Sequence, residues 1–194
     1  NLIKLIVCMM ALSLLIPVTC MGEEIVLKLG TQAQASSDWI GYLDRVNTRL
    51  GELSGGTMRI EIALGGQLGS NAEHWAQMNA GTLDLFAQGC DAPSVAPGGK
   101  DFDIVNLPFL FDDVDHWHRF LKSDIFAEMN AKFSEKTDVV YVGHLADIAP
   151  RALTTGKVPV YKVSDLKGLV IRVPGSALQT QVWADFGANP TQSS

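Results

Sequence analysis

Residues 165–174, Asp165-Leu166-Lys167-Gly168-Leu169-Val170-Ile171-Arg172-Val173-Pro174, constrain the fold more than any other stretch. Five apolar side chains (Leu169, Val170, Ile171, Val173 and Pro174) surround a single arginine. A run this short, β-branched and bounded by Gly168 and Pro174, predicts a strand buried on both faces, as in a parallel sheet. Gly175 and Ser176 then punctuate the chain, and a helix-like pattern follows through about Phe186. That order puts Arg172 near the carboxyl end of a sheet strand, the edge where open α/β sheets bind ligands. A guanidinium is always charged, so one removed from water requires an anion, either a protein carboxylate or an acidic ligand.

The rest of the chain alternates in the same way. Residues 24–30 read as a first strand, and Ile40, Leu43, Val46, Leu50 and Leu53 recur at helical spacing before Gly55-Gly56. Residues 57–64 switch to period two, with Met58, Ile60, Ile62 and Leu64 on one face and Arg59 and Glu61 on the other. After the loop 65–69, Ser70 and Glu73 have capping-box spacing and start a helix to about Asn79. Further strands are expected at 83–87, 104–107, 139–142 and 151–154. Asp112 or Asp113 caps one long helix carrying Val114, Trp117, Leu121, Phe126, Met129 and Phe133. Strands and helices alternating throughout predict an α/β fold with a largely parallel sheet.

The first 22 residues stand apart: Lys4, then the apolar run 5–16, then Pro17, Thr19, Cys20 and Gly22. This has the layout of a secretory signal peptide, with an apolar segment too short to span a bilayer and Glu23 as the mature start. The rival reading is a lipid anchor at Cys20. Without the leader, Cys90 has no cysteine to pair with, which suits a disulfide-free exported protein of a bacterial periplasm. The formal net charge of −6, with no cluster of lysine and arginine, argues against nucleic acid or an anionic membrane surface as partner. The chain opens on Asn1 and stops at Ser194, and both ends are expected to be incomplete.

No stretch specifies an enzyme. Gly65-Gly66-Gln67-Leu68-Gly69 has neither phosphate-cradling nor dinucleotide spacing. His116 and His118 are two apart on a helical pattern and diverge, which makes a poor metal pair. Asp112, Asp113 and Asp115 lack the glycine and glutamate of a calcium loop. Cys90, in Gly89-Cys90-Asp91, is not on a nucleophile elbow and has no histidine nearby in sequence. The remaining constellation is Arg151 and Arg172, 21 residues apart on strand-like segments, which together suit one carboxylate. Each has an alternative: pairing with an internal aspartate or, for Arg151, simple exposure.

Taken together, these residues resemble the substrate-binding proteins of tripartite ATP-independent periplasmic (TRAP) transporters. The resemblance rests on residues 165–174 followed by Gly187-Ala188-Asn189-Pro190-Thr191. Leu27-Lys28-Leu29-Gly30, Gln67-Leu68-Gly69, Gly81-Thr82-Leu83-Asp84, Leu107-Pro108-Phe109-Leu110-Phe111 and Arg151-Ala152-Leu153-Thr154 match in order. It implies a two-lobed α/β fold of the periplasmic-binding-protein type (type II), with a first lobe at 23–148 that is nearly complete. A second lobe, at 149–194, is partial, since family members continue well beyond this point.

The resemblance further implies a periplasmic receptor that closes on a small organic acid, C4-dicarboxylate-like or a related carboxylate. It would pass that acid to the membrane subunits of a TRAP permease, without catalysis, metal or cofactor. Arg172 would make the main salt bridge to the ligand carboxylate and Arg151 would assist. By position, Gln32, Ser70, Asn71 and Gln88 fall where family members touch ligand. Ser70 has an alternative as a helix cap, Asn71 as a solvated first-turn residue, and the two glutamines as loop polar groups. Ser70 and Gln88 stand where sialic acid-binding relatives carry acidic groups, and Asp91 where they carry an arginine, which favours a smaller carboxylate. The alternatives for the whole chain are a periplasmic sensory receptor and an exported α/β enzyme using Cys90.

Overall fold

Two strands with matched apolar alternation form the centre of the first layer. β1 (Ile25–Gly30) and β2 (Met58–Ala63) pair in parallel, from Ile25 opposite Met58 to Gly30 opposite Ala63. The computed structural model describes residues 23–147 and 151–192, so the leader with Cys20 and the expected lobe boundary at 148/149 lie outside the described residues. α1 (Ile40–Leu53) crosses from β1 to β2 and packs Ile40 and Leu43 on Leu29 and Ile60. Its Asn47 side chain donates to the Ile60 carbonyl at 3.0 Å and accepts from the Ile60 amide at 2.7 Å. That bracket satisfies backbone groups which an edge strand otherwise leaves bare.

α2 (Asn71–Asn79) leads to β3 (Leu85–Phe86), which joins the other side of β1 and gives the all-parallel order β2-β1-β3. β3 is shorter than the expected 83–87: at its start the Lys28 amide bonds the Asp84 carboxylate at 2.8 Å and not a strand carbonyl, while the Asp84 amide still donates to the Lys28 carbonyl at 3.1 Å. The strand expected at 104–107 is instead the end of a 3₁₀ turn, Lys100–Asn106. Amides there bond three residues back (Phe102 to Gly99, Leu107 to Ile104), and Phe102 is the one deeply buried anchor of the turn.

The single long helix expected after Asp113 is two, α3 (Val114–Leu121) and α4 (Asp124–Thr137). Ser123 separates them: its hydroxyl donates to the Phe120 carbonyl at 2.7 Å and accepts from the Phe126 amide at 3.2 Å, ending one helix and capping the next. An aromatic core of Trp75, Phe102, Phe126, Met129 and Phe133, with Phe86 against it, fills the space between α2 and α4. Residues 139–142 form no strand, and Val142 is 88% exposed. No strand among the described residues offers them a ladder; Tyr141 packs edge-on against Phe126 instead, 5.2 Å between centroids. Residues 151–154 are likewise irregular and exposed.

A second sheet follows. β4 (Val170–Val173) and β5 (Asn189–Gln192) pair in parallel around α5 (Ala177–Asp185), with Arg172 opposite Thr191. A separate core holds Leu166, Ile171, Val173 and Ala188. β4 is not buried on both faces as its apolar run predicts: Ile171 and Val173 point inward, while Arg172 is exposed and Val170 is 75% exposed. With α5 packed on one side, the described residues lay nothing over the other, so only the period-two half of the run is core. The parallel α/β class stands. Among the described residues, no helix is long and apolar enough to cross a membrane.

Candidate ligand-binding site

The loops that leave the carboxyl ends of β1, β2 and β3 meet at one edge of the first sheet. Thr31, fully buried after β1, donates its amide to the Ala63 carbonyl at 3.1 Å, and its own carbonyl accepts from Gly66 at 2.9 Å. Ala33 accepts from Gly65 at 2.7 Å, so the first two loops are tied together along their backbones. Gly66 has φ +70°, and a Cβ there would stand 2.6 Å from Gln32 Oε1. The loop therefore needs glycine both for its left-handed turn and for the approach of Gln32.

Four of the six residues singled out from sequence gather here. Gln32 donates to the Gly69 carbonyl at 2.6 Å. Gln88, after β3, donates to Asn71 Oδ1 at 3.4 Å and accepts from the Gly89 amide at 3.3 Å. Ser70 is the N-cap of α2 in a complete capping box: its hydroxyl accepts from the Glu73 amide at 3.4 Å and its amide donates to Glu73 Oε2 at 2.6 Å. The bonds from the Ser70 backbone and hydroxyl hold the Glu73 carboxyl below its ordinary range. The capping alternative for Ser70 is thus the one the structure displays.

The two arginines are placed differently. Arg151 approaches Asp91, 3.8 Å from guanidinium to carboxylate, three residues after Gln88, and so lies beside the same loop. Arg172 stands on the exposed face of β4, and among the described residues its side chain makes no hydrogen bond or ion pair. The amide groups at the edge of the first sheet are neutral, and each is both donor and acceptor, a match for hydroxyl-bearing ligands. Arg151 adds positive charge beside this edge, partly offset by Asp91, while the Arg172 side chain makes no bond to it among the described residues.

One residue beneath this edge carries no signal in the sequence reading. His74, on α2, is completely buried, stacked on Phe86 with centroids 4.7 Å apart, and pressed against Gly30, where a Cβ would meet its ring at 2.3 Å. Its Nδ1 lies 2.8 Å from the Ser70 carbonyl, which only accepts, so Nδ1 carries the proton. The nearby Gln32 nitrogen, at 3.4 Å, therefore donates to Gly69 and not to the ring. Nε2 is left buried without a partner among the described residues. The signal available was Gly30 itself, a strand-end residue that leaves room for a ring from the neighbouring helix. Cys90 is partly buried against the aromatic core, and burial, with the Asp91 charge second, pushes its thiol up to about 12. A thiol so reluctant to ionise is a poor nucleophile.

Residues 29–194 match the model of the family described as bacterial extracellular solute-binding protein, family 7. A solute-binding protein of Sulfitobacter sp. (strain NAS-14.1) is 31% identical over 137 residues, covering 70% of this chain and 40% of that protein. Among solved structures, a TRAP periplasmic solute binding protein from Roseobacter denitrificans, with bound L-galactonate, superposes with a TM-score of 0.76 at 26% identity. The match covers 88% of this chain and 55% of that one. A Bradyrhizobium sp. TRAP periplasmic solute binding protein, in complex with α/β-D-galacturonate, gives 0.73 at 28% identity, covering 86% and 54%. The chain spans about half the length of the curated relatives it matches. Over that extent it carries the two-lobed α/β fold of these binding proteins, the second lobe in part.

Proposed function

The chain belongs to family 7 of the bacterial extracellular solute-binding proteins, the substrate-binding proteins of TRAP transporters, and from that membership we propose that it is a periplasmic receptor for a sugar acid. It captures the acid between two lobes, 23–148 and 149–194, and delivers it to the membrane subunits of a secondary-active TRAP permease. Export uses the leader, residues 1–22. Two features support the lobe division: the first two cores draw on residues up to Leu145, and the third on residues from Val160 onward.

The observation that carries the proposal is Arg172, whose side chain is unpaired among the described residues, a fixed positive charge held outward on a strand whose alternate residues are core. In the mechanism, the ligand carboxylate docks on its planar fork, with Arg151 assisting. Gln32, Asn71 and Gln88 meet the ligand hydroxyls from the first lobe, and Ser70 shapes the start of α2 beside them. Closure excludes water, lowers the local dielectric and so strengthens the salt bridge, which favours the closed form. A sugar acid suits one charged end and several neutral amides better than a C4-dicarboxylate, which carries a second charge. The galactonate and galacturonate bound by two solved relatives support the same choice. The protonated Cys90 thiol gives no support to an enzyme.

A thermal-shift panel on the full-length protein tests this, comparing hexuronates and aldonates with succinate, malate and sialic acid. A ligand at about 100 times its Kd stabilises a protein by about 2.7 kcal/mol, a readily measured shift. Sugar acids are expected to raise Tm; a panel in which only dicarboxylates do so overturns the ligand class.

A further inference from the structure

His118 lies on α3, while His144 and Asp147 lie on the irregular segment after α4. The Nε2 atoms of the two histidines approach the two oxygens of one carboxylate, His144 at 2.8 Å from Oδ1 and His118 at 2.8 Å from Oδ2 of Asp147. One ligand atom from each of the three residues lies within 4.8 Å of the others. Sequence spacing hides this group: it pairs His118 with His116, whose ring points elsewhere, toward Asp112. The fold instead brings His118 to a histidine and an aspartate three residues apart on another segment.

We propose that His118, His144 and Asp147 form a binding site for a divalent transition-metal ion, zinc by preference. Two imidazole nitrogens and one carboxylate oxygen are the donors that zinc takes, and three protein ligands leave a fourth, tetrahedral position for water. Calcium and magnesium prefer all-oxygen shells and are poorly served by two imidazoles. Ligand bonds of about 2.0–2.2 Å need the donors closer together than they now stand. Side-chain rotation can bring them together, since all three side chains are about a third or more exposed. The rings already face inward, 6.1 Å between centroids, and His144 is backed by the edge of Trp117 at 6.1 Å. A bound ion cross-links α3 to residues 144–147, which lack any strand ladder.

Calorimetric titration of the full-length, tag-free protein with zinc chloride after chelator treatment tests the site, with cobalt(II) absorption reporting tetrahedral geometry. The expected result is one ion per chain, weakened more than about tenfold by His118→Ala, His144→Ala or Asp147→Asn and unchanged by His116→Ala. All four side chains are at the surface, and matching circular dichroism keeps the comparison valid. No zinc binding by the wild-type protein, or binding that survives the triple variant or falls equally in His116→Ala, overturns the proposal.

Discussion

The hydroxyl of Ser176 donates a 2.7 Å hydrogen bond to Asp103 across 73 residues of chain, and the other oxygen of that carboxylate accepts from the Leu178 amide at 3.3 Å. Ser176 simultaneously accepts from the Gln179 amide at 3.0 Å, so one buried hydroxyl caps α5 and ties it to the 3₁₀ turn Lys100–Asn106. Gln179 adds a 2.6 Å bond to Asn106 on the same turn. A carboxylate at a helix N-terminus also meets the positive end of the helix dipole.

Asp103→Ala and Ser176→Ala are each expected to destabilise the protein. Hydrogen bonds to a charged acceptor are worth roughly 1.5–3 kcal/mol, reduced here by the partial exposure of Asp103. A double-mutant cycle read by urea denaturation should give a coupling of about 1–2 kcal/mol. Additive losses would mean that the two residues do not act together.

Arg172→Ala should separate binding from stability. The side chain is exposed and unpaired among the described residues, so apo Tm is expected to stay within a degree or so of wild type. Affinity for a sugar acid is expected to drop about 10- to 100-fold, the equivalent of one lost charge-assisted contact. Arg172→Lys should recover only part of this, because an ammonium lacks the planar fork. Calorimetry with wild-type-like affinity in Arg172→Lys would remove Arg172 from the clamp.

In the proposed site, Asp91 would compete with a ligand carboxylate for Arg151. Their 3.8 Å pairing involves a guanidinium that is 62% exposed, so its own stabilising effect is small, about 0–1 kcal/mol. Asp91→Asn is therefore expected to leave the urea midpoint nearly unchanged while tightening acid binding. Weaker binding in that variant would show that Asp91 orients Arg151 and does not oppose the ligand.

Gly30→Ala forces a methyl into the His74 ring, 2.3 Å from Cδ2, with no space beyond it because His74 is fully buried. Overpacking of this kind costs about 1–3 kcal/mol. The loss should be accompanied by weaker ligand binding, since His74 bonds the Ser70 carbonyl beneath the amide cluster. Gly81→Ala, where no atom lies within 4 Å of the new carbon but φ is +69°, is the control for backbone strain without a clash.

The Cys90 thiol, raised from about 9.0 to about 12, makes stability depend on alkaline pH. The folded chain keeps a proton that the unfolded chain releases above about pH 9, so stability is complete below that value and falls as pH rises toward about 12. Cys90→Ser should flatten that slope in denaturation at pH 8–11. At pH 8, iodoacetamide should alkylate native Cys90 on the order of 100- to 1,000-fold more slowly than the unfolded chain.

Local patterns that fix their own geometry were legible in the sequence. The alternation of 24–30 and 57–64, the helical spacing from Ile40 to Leu53 and the Ser70–Glu73 box all appear as read. Patterns whose meaning depends on a neighbour were not. Val139 to Val142 is as β-branched as any strand, yet it has no ladder among the described residues, and Ile104 is drawn into a turn by Phe102 and the Asp103–Asn106 bond. Val170 continued an apolar run without belonging to the core. Three of the candidate site residues meet through single hydrogen bonds at loop ends, while His74, between Glu73 and Trp75 on a short helix, offered no periodicity by which to be found.

The Asp103–Ser176 tie has a mechanical consequence. It lies just past the carboxyl end of β4, four residues beyond Arg172, or at most about 14 Å of extended chain, where the proposed closure would use it as a fulcrum. In the proposed closure, rotation of the second lobe about that point would carry Arg172 on a short lever arm, through a small arc, while the far ends of the lobe sweep wide. The guanidinium would then stay nearly stationary while the wall around it swings.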